Sequence, residues 1–320
     1  MGNFFKSLFF SSQETSEVEI HKNDRKKFDV LKYDGIRALR IGKLAYAIKC
    51  LVEALELQED FEARTYLVTA YTSAHKLEEA MVELDRLVEL DPSHIQTRLS
   101  RINLLFMLDR EGEVEADCRE IIKLEETNYL AWYLMGKAKY ILNNPLGAIA
   151  DLTKAIALKD DFVDAYWMRA QVLLVMRQVS EALLDVEKAI QLNPEEENLY
   201  LLRGRIRLVL DDKEAALVDF QNVLDLNPYN EEAGLSIGQL LIDQERLDEA
   251  IHFFDELIEL KPEFAKAYAE RGRAKNKKGD KVGAFEDLKK SIELNPVGDE
   301  AQRLEGVHSN FDNLYKGGFF

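Results

Sequence analysis

The sequence predicts an all-α chain of about eight helix–turn–helix repeats followed by a C-terminal capping helix. Three observations lead there. Five of the six prolines share one phase: Pro194, Pro228, Pro262 and Pro296 are 34 residues apart, and Pro92 precedes Pro194 by three such steps. Small or compact residues recur in the same phase, at Ala80, Val114, Ala148, Ala182, Ala216, Ala250 and Ala284. Twelve residues before each stand Val68, Ile102, Gly136, Ala170, Gly204, Gly238 and Gly272. Each period also holds two stretches with apolar residues at helical i, i+3, i+4 spacing, as in 163–176 and 180–192. A repeat of this length dictates the fold before any local reading does.

The elements follow in order. Residues 1–27 read as an extension. Phe4, Phe5, Leu8 and Phe9 would fall on one helical face, and 11–27 is polar. The start is short, with Lys6 in its middle and neither the longer apolar stretch nor the small-residue cleavage site of a secretory signal, and Lys6 stands where a myristoylation pattern needs Ser or Thr. Eight units then occupy 28–60, 61–94, 95–128, 129–162, 163–196, 197–230, 231–264 and 265–298, the first one residue short. Each is expected to hold a helix A and a helix B. The Asp-Pro, Asn-Pro or Lys-Pro at the end stops helix B, because proline lacks an N–H and disfavours α geometry before it. The small residues are expected to let the two helices approach, Ala182 facing Ala170. The third unit departs most, with Val114 at the helix-B alanine position and Arg98 and Arg101 on helix A. Residues 299–315, with Leu304, Val307, Phe311 and Leu314, read as a helix covering the last unit, and 316–320 as a tail.

These units resemble the tetratricopeptide repeat. Its W-x2-L-G-x2-Y … A-x3-F … P pattern appears as Trp132, Met135, Gly136, Lys139, Ala148 and Leu152, with Asp160 in the proline position. In the sixth unit it appears as Tyr200, Arg203, Gly204, Ala216, Phe220 and Pro228. The resemblance spans 271 of 320 residues. It implies a right-handed α–α superhelix, non-catalytic, that binds a protein or peptide along the helix-A surface.

Composition narrows the rest. With 59 Asp+Glu against 42 Lys+Arg the net charge is -17, which disfavours a nucleic-acid ligand. No apolar run approaches membrane-spanning length, so an integral membrane protein is not expected. Two cysteines cannot form a disulfide framework, and a reducing cytoplasmic setting is the expectation. His21, His75, His94, His252 and His308 lack metal-ligand spacing, and no phosphate-binding loop or nucleophile elbow occurs. No catalytic residue, metal site or cofactor is therefore assigned.

One polar pattern recurs. Arg101, Arg169, Arg203 and Arg271 each precede, by sixteen residues, Asp117, Asp185, Asp219 and Asp287. Pairing within a unit satisfies all four. Pairing to the next unit would strand Asp117 and Asp219 opposite Met135 and Ile237.

The resemblance also implies which positions of helix A face a ligand. At the fifth position these are Leu99, Tyr133, Trp167 and Leu201, with Lys32 in the first unit. The ninth position supplies Asn103, Lys137, Gln171, Arg205, Gln239 and Arg273; the twelfth supplies Phe106, Tyr140, Leu174 and Leu208. Trp132, one place before Tyr133, is expected in the core. Seven bases and five acids on the forty implied groove positions give +2, so the acidic charge falls on the outer surface. The Lys/Asn set by which related domains clamp a C-terminal carboxylate is not reproduced. The competing expectations are a regulatory or targeting subunit of an enzyme complex, and self-association through residues 1–20.

Overall fold

The structure, a computed structural model, describes residues 23–296. The expected capping helix, the tail and residues 1–22 lie outside the described residues. Described residues form α-helices and one 3-10 turn, with no strand. The chain divides at Asp160 into two compact halves.

The N-terminal half contains α1 (23–40), α2 (Leu44–Leu57), α3 (Phe61–Ser73), α4 (Leu77–Leu90) and α5 (Ile95–Met107). A 3-10 turn, Glu111–Glu113, leads into α6 (Val114–Leu124), followed by α7 (Tyr129–Ile141) and α8 (Pro145–Leu158). The C-terminal half contains α9 (Val163–Val175), α10 (Val179–Leu192), α11 (Glu197–Val209) and α12 (Lys213–Leu226). It continues through α13 (Glu231–Asp243), α14 (Leu247–Leu260), α15 (Ala265–Lys278) and α16 (Lys281–Leu294). From α3 onward, every odd-numbered helix begins 34 residues after the last. Helix α1 already includes 23–27, so those residues are helical and not part of a polar spacer. In the third repeat the 3-10 turn takes the place of the first turn of helix B, which shortens α6 to 11 residues.

Helix ends are set by local chemistry. Side-chain oxygens of Asp60, Asn128 and Asn230 accept from the N–H three residues on at α3, α7 and α13. Asn144, Asp212 and Asp280 do the same for α8, α12 and α16. Every A-to-B turn contains one left-handed residue: Gly42, His75, Asp109, Asn143, Arg177, Asp211, Glu245 and Gly279. The N–H that follows it donates to the carbonyl five residues back, for example Lys76 to Tyr71 at 2.9 Å and Gln178 to Leu173 at 2.9 Å. Such bonds satisfy carbonyls that the helix end leaves open.

The helix-A glycines show how the paired helices fit. A Cβ on Gly204 would lie 2.7 Å from the Phe220 ring, and one on Gly136 would lie 2.9 Å from Leu152 Cγ. Gly238 abuts Phe254 in the same way. The small residue of helix A thus receives a large side chain four residues beyond the helix-B alanine. A Cβ on Gly136 or Gly272 would also meet that alanine's carbonyl oxygen, at 3.2 and 3.1 Å. Phe220 and Phe254 are fully buried and centre the C-terminal core, while Leu51, Leu67, Leu87, Ile102 and Ile121 are among the buried residues of the N-terminal half.

Candidate functional site

Five aspartates at one register on the helices B are buried in an apolar interior. An ionised carboxylate there needs compensating charge and hydrogen bonds. Arg101 reaches Asp117 through Nε (2.7 Å) and Nη2 (2.6 Å). Arg169 holds Asp185 at 2.7 Å through both contacts. Arg203 holds Asp219 at 3.0 and 2.6 Å, and Arg271 holds Asp287 at 2.9 and 2.5 Å. The partners of each pair are sixteen residues apart, within one repeat. Arg101 and Arg271 also reach back to Asp85 (2.9 Å) and Asp255 (2.6 Å) in the preceding repeat. Arg203 and Arg271 lie over Tyr200 and Tyr268, with centroid distances of 5.5 and 5.3 Å.

Sequence reasoning missed a further base on four of these aspartates. Lys139, Arg207 and Lys275 stand twelve residues before Asp151, Asp219 and Asp287 and contact them at 2.6, 2.8 and 2.8 Å. Arg98 contacts Asp117 at 2.8 Å and also donates to the Pro92 carbonyl. The twelve-residue spacing is legible in the sequence, but it recurs in only three of the repeats and is masked by the sixteen-residue pattern. Asp151 has Met135 where the other four have arginine. Burial therefore raises its pKa, and the Lys139 contact only partly offsets this. These carboxylates and bases are engaged with one another, so the network holds each helix pair together rather than presenting reactive groups.

The helix-A surface of the N-terminal half changes character along the chain. Lys32 on α1 is buried, bridged to Asp60 at 2.9 Å and Glu62 at 2.6 Å, and so turns away from solvent. On α3, the hydroxyls of Thr65, Thr69 and Thr72 donate to carbonyls four residues back. The apolar part starts at α5. Leu99 and Phe106 are half-buried and Asn103 is exposed, while Tyr133, Lys137 and Tyr140 on α7 are half-buried. Lys137 Nζ sits 4.5 Å from the Phe106 ring centroid and joins the two rows. Trp132 packs against the core cluster of this half, and its buried Nε1 has no hydrogen-bond partner.

In the C-terminal half, Trp167, Gln171 and Leu174 on α9 are half-buried, and Leu208 on α11 is exposed. Leu201 departs from expectation: it is 8% exposed and belongs to the core cluster around Phe220 and Phe254. The neighbouring α13 residue Leu235 packs against that same cluster, so an apolar side chain at this register is drawn inward. Arg205 is exposed and already engaged: its guanidinium bonds both oxygens of Glu232 on α13. Gln239 donates to Glu270 at 3.1 Å, and Arg273 lies 3.2 Å from Glu270 and 3.8 Å from Asp243. The polar row of this half is thus cross-linked by exposed contacts. Each is worth about 1 kcal/mol or less, so a ligand could displace them.

Among the described residues, no group of three or more His, Cys, Asp or Glu side chains could hold a metal ion. No described helix is long and apolar enough to cross a membrane. Cys50 and Cys118 are buried, and burial pushes the Cys118 thiol up to about 12.

Two tetratricopeptide-repeat family models match the chain, over residues 168–231 and 210–273. A tetratricopeptide repeat protein from Parabacteroides merdae ATCC 43184 is 17% identical, covering 83% of this chain and 99% of its own, with a TM-score of 0.59. A chain of the APC/C hetero-tetramer Cut9–Hcn1 is 16% identical, covering 82% of this chain and 52% of its own, with a TM-score of 0.52. YrrB, a TPR protein with an unusual peptide-binding site, is 25% identical, covering 59% of this chain and 97% of its own, with a TM-score of 0.49. No curated protein matches by sequence. Those family models place residues 168–273 among the tetratricopeptide repeats, and the same 34-residue helix pair recurs from α3 to α16.

Proposed function

We propose that this chain is a non-catalytic interaction scaffold that takes a protein segment along its helix-A surfaces. The observation that carries the reading is a division of labour by register. Charged side chains at the seventh and eleventh helix-A positions are engaged with buried aspartates. Those at the fifth, ninth and twelfth positions leave aromatic, aliphatic and amide groups accessible. In the N-terminal half these are Leu99, Asn103, Phe106, Tyr133, Lys137 and Tyr140; in the C-terminal half Trp167, Gln171, Leu174 and Leu208, beside the displaceable contacts of Arg205, Gln239 and Arg273. Half-buried aromatic rings beside amides suit a peptide that brings apolar anchors and exposes main-chain groups. Tetratricopeptide repeats are a protein-interaction fold, which agrees with this reading.

The test uses peptides selected from a random display library against the whole chain. Trp167→Ala or Phe106→Ala should weaken the selected peptides at least tenfold, with helix content by circular dichroism unchanged. Peptides indifferent to both substitutions would overturn the assignment.

A further inference from the structure

The first repeat has an open apolar face. In the N-terminal half, position three of helix A is buried in each later repeat, as Ala63, Thr97 and Ala131, and position ten likewise, as Ala70, Leu104 and Ala138. The corresponding residues of α1 are Val30, which is 60% exposed, and Arg37, which is exposed. Tyr33, on the same side of α1, is 62% exposed. Ile41 and Tyr46 extend the apolar surface, and a cleft of 420 Å³ lies between Asp34, Arg37, Ala38, Ile41, Lys43 and Tyr46. This is the side on which an earlier helix pair would pack.

We propose that residues 1–10 of the same chain cover this face. Five of those ten residues are Phe4, Phe5, Leu8, Phe9 and Phe10. Residues 11–22 can span up to about 40 Å when extended. The α1 stretch from 23 to 33 rises only about 15 Å, so the tether reaches Val30 and Tyr33 without strain. The spacer carries Glu14, Glu17 and Glu19, opposite in sign to Lys43 at the cleft rim, where Arg37 lies 3.9 Å from Asp34. A segment tethered this closely has an effective concentration in the millimolar range, so it outcompetes a second copy at micromolar protein.

Hydrogen exchange on the full chain tests this. Replacing Phe4, Phe5 and Phe9 by Ser should speed amide exchange across 28–41 at least tenfold and leave α11–α14 unchanged. The chain should be monomeric by light scattering, with protection of 28–41 independent of protein concentration. As a second readout, Tyr33→Asp, at an exposed position, should remove exchange protection from residues 4–10. Unchanged exchange in both variants would overturn the proposal. Protection of 28–41 that appears only as the chain dimerises would overturn it too, and would identify a second copy as the occupant.

Discussion

Arg177 and Glu245 hold φ at 62° and 61°, in the left-handed region that favours glycine. A non-glycine residue pays about 1–2 kcal/mol there. Glycine returns part of that in unfolded-state entropy, roughly 0.5–1 kcal/mol. Arg177→Gly should therefore stabilise the C-terminal half by a few tenths to about 1 kcal/mol, read as a higher thermal midpoint. The opposite substitution has a different outcome at Gly238, where an added Cβ would run into the buried Phe254 ring. Gly238→Ala should destabilise by about 1–3 kcal/mol through overpacking. The companion Phe254→Leu should recover part of that loss. Gly112→Ala is the control, since nothing lies within 4 Å of its added methyl.

At the level of the helix pair, Asp219 binds two arginines, Arg203 and Arg207, and is fully buried. Asp219→Ala would leave both guanidinium groups partly buried without their acceptor. Breaking a buried pair this way costs about 3–5 kcal/mol, measurable by denaturant unfolding. Asp151 should behave differently. Its pKa is raised by burial, so the folded state takes up a proton more readily than the unfolded chain. The cost of its ionised form acts above the folded pKa and lifts as pH falls through that value, the reverse of a carboxylate stabilised by its partners. Met135→Arg would supply the base that the other four aspartates have. An NMR titration should then find the Asp151 pKa lower than in the parent chain. Cys118 adds a probe of the same neighbourhood: with its thiol pushed up to about 12 and fully buried, it should resist alkylation until the helices around it open.

Over the whole chain the formal net charge is -17. The helix-A surface is less open than its residue list implied. Lys32 is buried against Asp60 and Glu62, Leu201 lies in the core, and Arg205 is held by Glu232. The accessible apolar groups that the proposed reading uses are thus those of α5 and α7 in the N-terminal half and, separately, of α9 in the C-terminal half. If a bound peptide must displace the Arg205–Glu232 contact, Glu232→Gln should strengthen binding near α11 while leaving the α5–α7 contacts unaffected. Isothermal titration against the selected peptides reads this directly; a weaker complex would mean that the ligand uses Glu232 itself.

Repetition made the chain's outline legible. A period of 34 residues, the prolines at its joints and the small residues at its centre prescribe helix pairs, because each acts through the local backbone and through contacts inside one unit. The sixteen-residue Arg–Asp spacing belongs to that class, and the structure places those side chains within hydrogen-bond distance. Other features depended on tertiary packing. Whether Leu201 faces solvent, whether Arg205 is engaged, which further bases reach the buried aspartates and which face of α1 stays open all depend on the neighbouring helix. A periodic sequence specifies what each unit offers at a given register. Only the packed neighbour determines whether that group is buried, paired or left for a partner.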